Sequence, residues 1–176
     1  MWTTPMPESD RALHPYQSTW PRYSARPFPP YRFIPGKTPH PRRNPGGHSY
    51  GQLEPELKRL QPDAWPESDS YRYGIDLYNF AYWWESHEVF EAFWHAAGPR
   101  TEQGQYFQGL IQLAGGNLKQ FMGNGAAASK LFQNSARRFS GLPDHYMGIA
   151  VADLRISLHR GHTGNILLRL ELRGHT

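Results

Sequence analysis

From about Ser70 onward, apolar side chains recur every three to four positions, and the glycines and prolines that interrupt them divide this part of the chain into five predicted helices. The first runs from about Ser70 to Asn79, with Tyr73, Leu77, Phe80 and Trp84 at helical spacing, which leaves open whether the chain breaks near Asn79. The second runs from about Tyr82 to Ala97 and stops at Gly98 and Pro99, a glycine end followed by a residue that cannot continue the turn. A third begins near Thr101, a suitable N-cap, and carries Phe107, Leu110, Ile111, Ala114, Leu118, Phe121 and Met122 on one stripe. Gly123, Asn124 and Gly125 reverse the chain into a fourth helix holding Ala128, Leu131, Phe132, Ser135 and Phe139. A loop this short implies antiparallel neighbours. The fifth is expected from about Asp144 to Arg160, with Met147, Val151, Leu154 and Leu158 inward and Gly161 closing it. The fold class expected is all-α: a compact bundle of about five helices.

Both ends depart from this period. In the tail, from about residue 164, Ile166, Leu168, Leu170 and Leu172 alternate with Leu167, Arg169, Glu171 and Arg173, the period of two of an extended strand with one buried face. It has three potential partners: the leader around Tyr31 to Ile34, a second copy of the chain, or the bundle surface without a ladder. Residues 1–66 form a leader that holds fourteen of the sixteen prolines, so it is extended or irregular. Its Trp2, Trp20, Phe28, Tyr31, Phe33, Ile34 and Tyr50 are apolar groups that a solvated tail does not need, and part of it is expected to pack along the bundle, which occupies 67–176.

Composition narrows the function. The formal charge of +4 is unevenly placed: residues 1–60 hold nine Lys and Arg against four Asp and Glu, and the remainder holds ten against eleven. The basicity therefore belongs to the leader, and the helical body lacks the cationic footprint of a nucleic-acid face. There is no cysteine, so a disulfide framework and a thiolate metal site are both excluded. The first thirty residues lack the apolar core of a signal peptide, and no apolar stretch approaches the ~20 residues that span a bilayer. A cytoplasmic protein is expected.

The candidate chemistry lies on the second helix. Trp84, His87, Glu88, Glu91, Trp94 and His95 recur at intervals of three and four and fall on one stripe, while Val89, Phe90, Ala92, Phe93 and Ala96 make the rest apolar. Burial of the whole helix, and so of its polar stripe, is the expectation. His87 and Glu91 at i, i+4 suit a divalent ion, and His40 or His48, on turns of the leader, are the imidazoles expected to complete its ligands. Glu88 is expected to serve as ligand or general base. The stretch lacks the second histidine of the zinc protease pattern, and a carboxylate in its place favours iron or manganese over zinc. On the third helix Gln108 and Gln112 are also at i, i+4. They are expected to face the second helix, satisfy its charged groups and contact a bound cofactor. Trp83, Trp84 and Trp94 are read as core residues, and His95, His162 and His175 as surface ones.

The run from Asn79 to Trp94, with His87-Glu88-x-x-Glu91-x-x-Trp94, followed by Gln108-Gly109-Leu110-Ile111-Gln112, resembles the bacterial and archaeal domain-of-unknown-function family 309 over about residues 70–160. The resemblance implies an all-helical bundle, a break between helices near Asn79, and metal binding by the His-x-x-x-Glu pattern that His87 and Glu91 carry. It implies no activity, and the leader lies outside it.

Two functions are weighed from the residues: a divalent-metal (Fe, Mn or Zn) site of a hydrolytic or redox enzyme acting on a small molecule, and a non-catalytic helical interaction module whose His/Glu/Gln network is structural. Under either, a protein partner or a second copy joined through the tail is compatible with the pattern. Weak nucleic-acid association through the leader ranks third.

Overall fold

The computed structural model describes residues 19–54, 56–159 and 168–174. Trp2, Ile166, His162, His175 and the expected end of the last helix at Arg160 and Gly161 lie outside them.

A short 3-10 helix, Pro62–Glu67, leads into five α-helices. Helix α1 spans Asp69–Asn79 and begins at Ser68, whose hydroxyl accepts from the Tyr71 N–H. It ends in a Schellman arrangement, with Tyr82 N–H donating to the Leu77 carbonyl and Ala81 N–H to that of Tyr78. Ala81 takes the left-handed conformation there, at φ 67°. The chain thus breaks just after Asn79 and restarts as α2, Trp83–Ala97. Helix α3, Glu102–Phe121, is capped by Thr101, whose hydroxyl accepts from Gly104 N–H. Asn124 caps α4, Gly125–Phe139.

The core is aromatic. Phe93 of α2 stacks on Phe107 of α3 with ring centres 5.0 Å apart, and Tyr71, Phe90, Tyr106 and Phe139 close around them, all fully buried. Helices α3 and α4 approach closely because α3 offers two glycines to the rings of α4. A Cβ on Gly109 would lie 2.5 Å from Phe139, and one on Gly116 2.4 Å from Phe132.

One expectation is corrected. The segment after Pro143 is not helical from Asp144: His145–Tyr146 (β1) and Ile149–Ala150 (β2) pair as a two-residue hairpin, and helix α5 occupies only Val151–His159. Met147 and Gly148, at φ 47° and 80°, form the reversal, and the tip is held by Tyr71, whose hydroxyl donates to the Met147 carbonyl. The tail takes the third of its potential placements, the bundle surface: among the described residues it joins no sheet. Residues 168–174 lie extended on the bundle with Leu170 fully buried, and the side chain of Asn79 takes the place of a neighbouring strand. Among the described residues, no helix is long and apolar enough to cross a membrane.

Candidate functional site

Four acidic residues of α1 and α2 receive the leader, among them Asp69, which accepts from the Ser24 hydroxyl and pairs with Arg26. An extended, proline-rich segment leaves backbone N–H groups unpaired, and a carboxylate on a helix can accept them. Asp76, fully buried, accepts from the N–H groups of Tyr23 and Ser24 and from Arg22 Nε. Glu85 Oε1 accepts from Phe33 N–H at 2.8 Å and lies 3.1 Å from His48 Nε2. Burial pushes the Glu85 carboxyl above its ordinary range, against the opposing pull of its own backbone N–H, His48 and Phe33. Glu88 Oε2 accepts from Arg42 Nε at 3.0 Å.

His87, Glu88 and Glu91 do come together, as their spacing requires. One ligand atom from each can be chosen so that all lie within 4.8 Å of one another. His87 Nδ1 is 3.7 Å from Glu88 Oε1 and 3.9 Å from Glu91 Oε2, too far for hydrogen bonds, and this buried nitrogen has no hydrogen-bond partner. Burial raises the Glu88 carboxyl, but the neighbouring His87 and Arg42 outweigh it and hold the group below its ordinary value. Beside the trio opens a cleft of about 410 Å³, lined by Glu88, Glu91, Ala92, His95 and Ala96 of α2 and by Arg42, Glu54, Glu56 and Leu57.

The expectation of an enclosed stripe is corrected. The side chains of His87, Glu88 and Glu91 are 34%, 21% and 41% exposed, whereas Glu85 and Ser86 are the buried polar residues of α2. The helix turns Trp83, Phe90, Phe93 and Ala97 to the core, and the small Ala92 and Ala96 on its other side border the cleft. Trp83 is core, but Trp84 and Trp94 are only half-buried.

Neither leader histidine joins the trio. His48 is taken up by Glu85 and Ser49, and its ring packs on Tyr31. His40 Nδ1 accepts from the Arg42 and Arg43 N–H groups, closing a turn, while its ring meets Phe33 and Trp84. Gln108 and Gln112 are half-buried on α3; no hydrogen bond links either to the trio, and the buried Gln112 Oε1 has no partner. The residues missed by sequence reasoning are Asp76, Glu85 and Arg42. A carboxylate set among apolar residues that face the core, as Asp76 is between Ile75 and Leu77, was the available signal, because such a group must find donors.

Residues 71–131 match the family model described as Domain of unknown function (DUF309). Over these residues the chain is similar to that family. The match is shorter than the resemblance anticipated, ending in α4, but it contains most of α1 and all of α2 and α3, and with them His87, Glu88 and Glu91. It leaves out Arg42, His48 and the tail, so the leader residues lie outside the matched segment. No curated protein matches the chain.

Proposed function

We propose that this helical domain holds a divalent metal ion through His87, Glu88 and Glu91 and presents it to a small molecule in the adjoining cleft, as a hydrolytic metal site. The observation that carries this reading is the spacing within the trio. The 3.7 and 3.9 Å separations from His87 Nδ1 are too long for hydrogen bonds. They are a few tenths of an ångström above the ~3.4 Å between ligands about 2.1 Å from a shared tetrahedral ion. No two of the three ligand atoms are more than 4.8 Å apart, and binding requires side-chain rotations that close the remainder.

One imidazole and two carboxylates suit iron or manganese better than zinc. When bound, such an ion would supply Lewis-acid activation of water or of a carbonyl or phosphoryl group. The partial exposure of the trio keeps its remaining side open to the cleft. Glu88, held below its ordinary value, is ionised at neutral pH and suits the role of ligand better than that of base.

The rival reading, a polar network that fixes helix register, is favoured by a different set of residues. Asp76, Asn79 and Glu85 are buried and occupied with leader and tail, whereas within the trio, among the described residues, Glu88 alone hydrogen-bonds to the leader, through Arg42 on its Oε2, which supports a ligand role for its Oε1 with His87 and Glu91. Elemental analysis of protein prepared without chelator or tag-borne metal, followed by Mn²⁺ addition, tests the proposal. Copurified or added ion at one per chain is expected, and no uptake of any divalent ion overturns it.

A further inference from the structure

Of the three proposed ligands, Glu88 is the one held from outside its own helix among the described residues. Glu91 has ion-pair neighbours His87 and His95, both on α2. Glu88 is instead gripped by the leader: Arg42 Nε donates to its Oε2 at 3.0 Å, and Arg42 Nη1 donates to the Gln52 carbonyl at 3.3 Å. The guanidinium is thereby fixed at two points. The turn that carries it is fixed as well, since Arg42 N–H donates to His40 Nδ1 and the His40 ring packs edge-on against Trp84, one turn before Glu88 on α2.

A glutamate on a partly exposed helix surface samples several rotamers, and ordering it as a ligand costs entropy. With Oε2 committed to Arg42, Oε1 is the oxygen left facing His87 Nδ1. Partners of this kind behind a ligand carboxylate orient it, and their loss weakens metal affinity roughly ten- to hundred-fold.

We propose that Arg42 is the positioning residue of the metal centre, fixing the Glu88 carboxylate with one oxygen turned toward His87, so that a leader segment outside the DUF309 match completes the site. The proposal rests on the metal reading above. A guanidinium beside a ligand also repels a cation, and the two effects have opposite signs on removal: loss of positioning weakens binding, loss of repulsion strengthens it. Glu54 and Glu56 line the same cleft with Glu88 and Glu91, so a cation still meets a carboxylate-rich surface beside Arg42, and the sign of the change on its removal tells which effect dominates.

Isothermal titration of the full chain with Mn²⁺ alone separates these effects, using the wild type, Arg42→Ala and Arg42→Lys, with the metal-free melting temperature recorded for each. The wild type binds one ion; Arg42→Ala binds roughly ten- to hundred-fold more weakly. Its metal-free melting temperature falls by at most a few degrees, as for a partly exposed ion pair. Arg42→Lys keeps the charge but not the planar N–H edge, and binds more weakly than wild type by a smaller factor. Equal or tighter binding by Arg42→Ala overturns the proposal and leaves Arg42 a counter-charge only. If Arg42→Ala does not fold, wild-type affinity in Arg42→Lys overturns it instead. A wild type that binds no ion overturns the metal reading itself, a result distinct from either.

Discussion

Asn79 holds the backbone of Leu170 from both sides: its Nδ2 donates to the Leu170 carbonyl and its Oδ1 accepts from the Leu170 N–H, each at 2.8 Å. The pairing copies the two-bond exchange between neighbouring strands, with a side-chain amide in place of a second backbone. All four groups are buried. Asn79→Ala orphans an N–H and a carbonyl at once and is expected to cost about 2 to 4 kcal/mol in denaturant unfolding. Asn79→Asp keeps the acceptor only and should fall between. A loss below about 0.5 kcal/mol for Asn79→Ala would show that the tail contributes nothing to stability.

His48 and Glu85 form the corresponding link for the leader. His48→Ala removes one of the two leader groups on Glu85 Oε1 and leaves a buried carboxylate whose Oε2 already lacks a partner. The expected cost is about 1 to 3 kcal/mol, with faster tryptic cleavage at Lys37, Arg42 and Arg43 while the helical bundle stays resistant. An unchanged cleavage rate there would show that the leader is held without His48.

Gly109 and Gly116 set the spacing of α3 and α4. Alanine is the better helix former by ~1 kcal/mol, so propensity alone predicts that Gly109→Ala stabilises. The Phe139 ring at 2.5 Å from the added Cβ reverses the sign, and a net loss of about 1 to 3 kcal/mol is expected by thermal or chemical denaturation.

The buried tyrosines make the fold sensitive to alkali. Burial first, then the neighbouring Tyr106, pushes the Tyr71 hydroxyl well above its ordinary value of 10.0, and burial likewise raises Tyr78 and Tyr106. Tyr146 is pushed up to about 12, by burial and then by Glu102. A group with a raised folded-state pKa contributes stability that is complete below its unfolded value and is lost as pH rises toward the folded one. Stability should therefore fall above pH 10, with phenolate absorbance of these residues appearing only together with loss of the helical circular dichroism. Their ionisation near pH 10 in a still-helical protein would contradict the packing.

The elements that sequence revealed are those fixed by local rules. Gly98-Pro99, Thr101 and Gly123-Asn124-Gly125 mark real helix ends because capping involves residues a few positions apart. Asp144 to Ala150 reads as helix because Met147, Val151, Leu154 and Leu158 keep helical spacing, while the reversal rests on a methionine in the left-handed region that no pattern announces. The alternation in the tail correctly marks Leu170 as buried, but its hydrogen-bond partner is a side chain ninety-one positions away. Likewise the grouping of His87, Glu88 and Glu91 follows from i, i+3 and i, i+4 geometry, whereas their exposure does not: the half-buried Val89, Ala92 and Ala96 read as core on hydrophobicity alone. His40 and His48, expected as further ligands, lie instead against Trp84 and Glu85, long-range contacts that no local pattern announces.

Whether His87, Glu88 and Glu91 share one ion is read most closely by Mn²⁺ binding followed by electron paramagnetic resonance in wild type, His87→Ala and Glu91→Gln. Free Mn²⁺ has a sharp six-line signal that binding to a protein broadens. The signal should be suppressed to one equivalent per chain in the wild type and should persist from the first addition in both variants, each still melting cooperatively. An undiminished free-ion signal in the wild type, or equal suppression in all three proteins, would contradict the account.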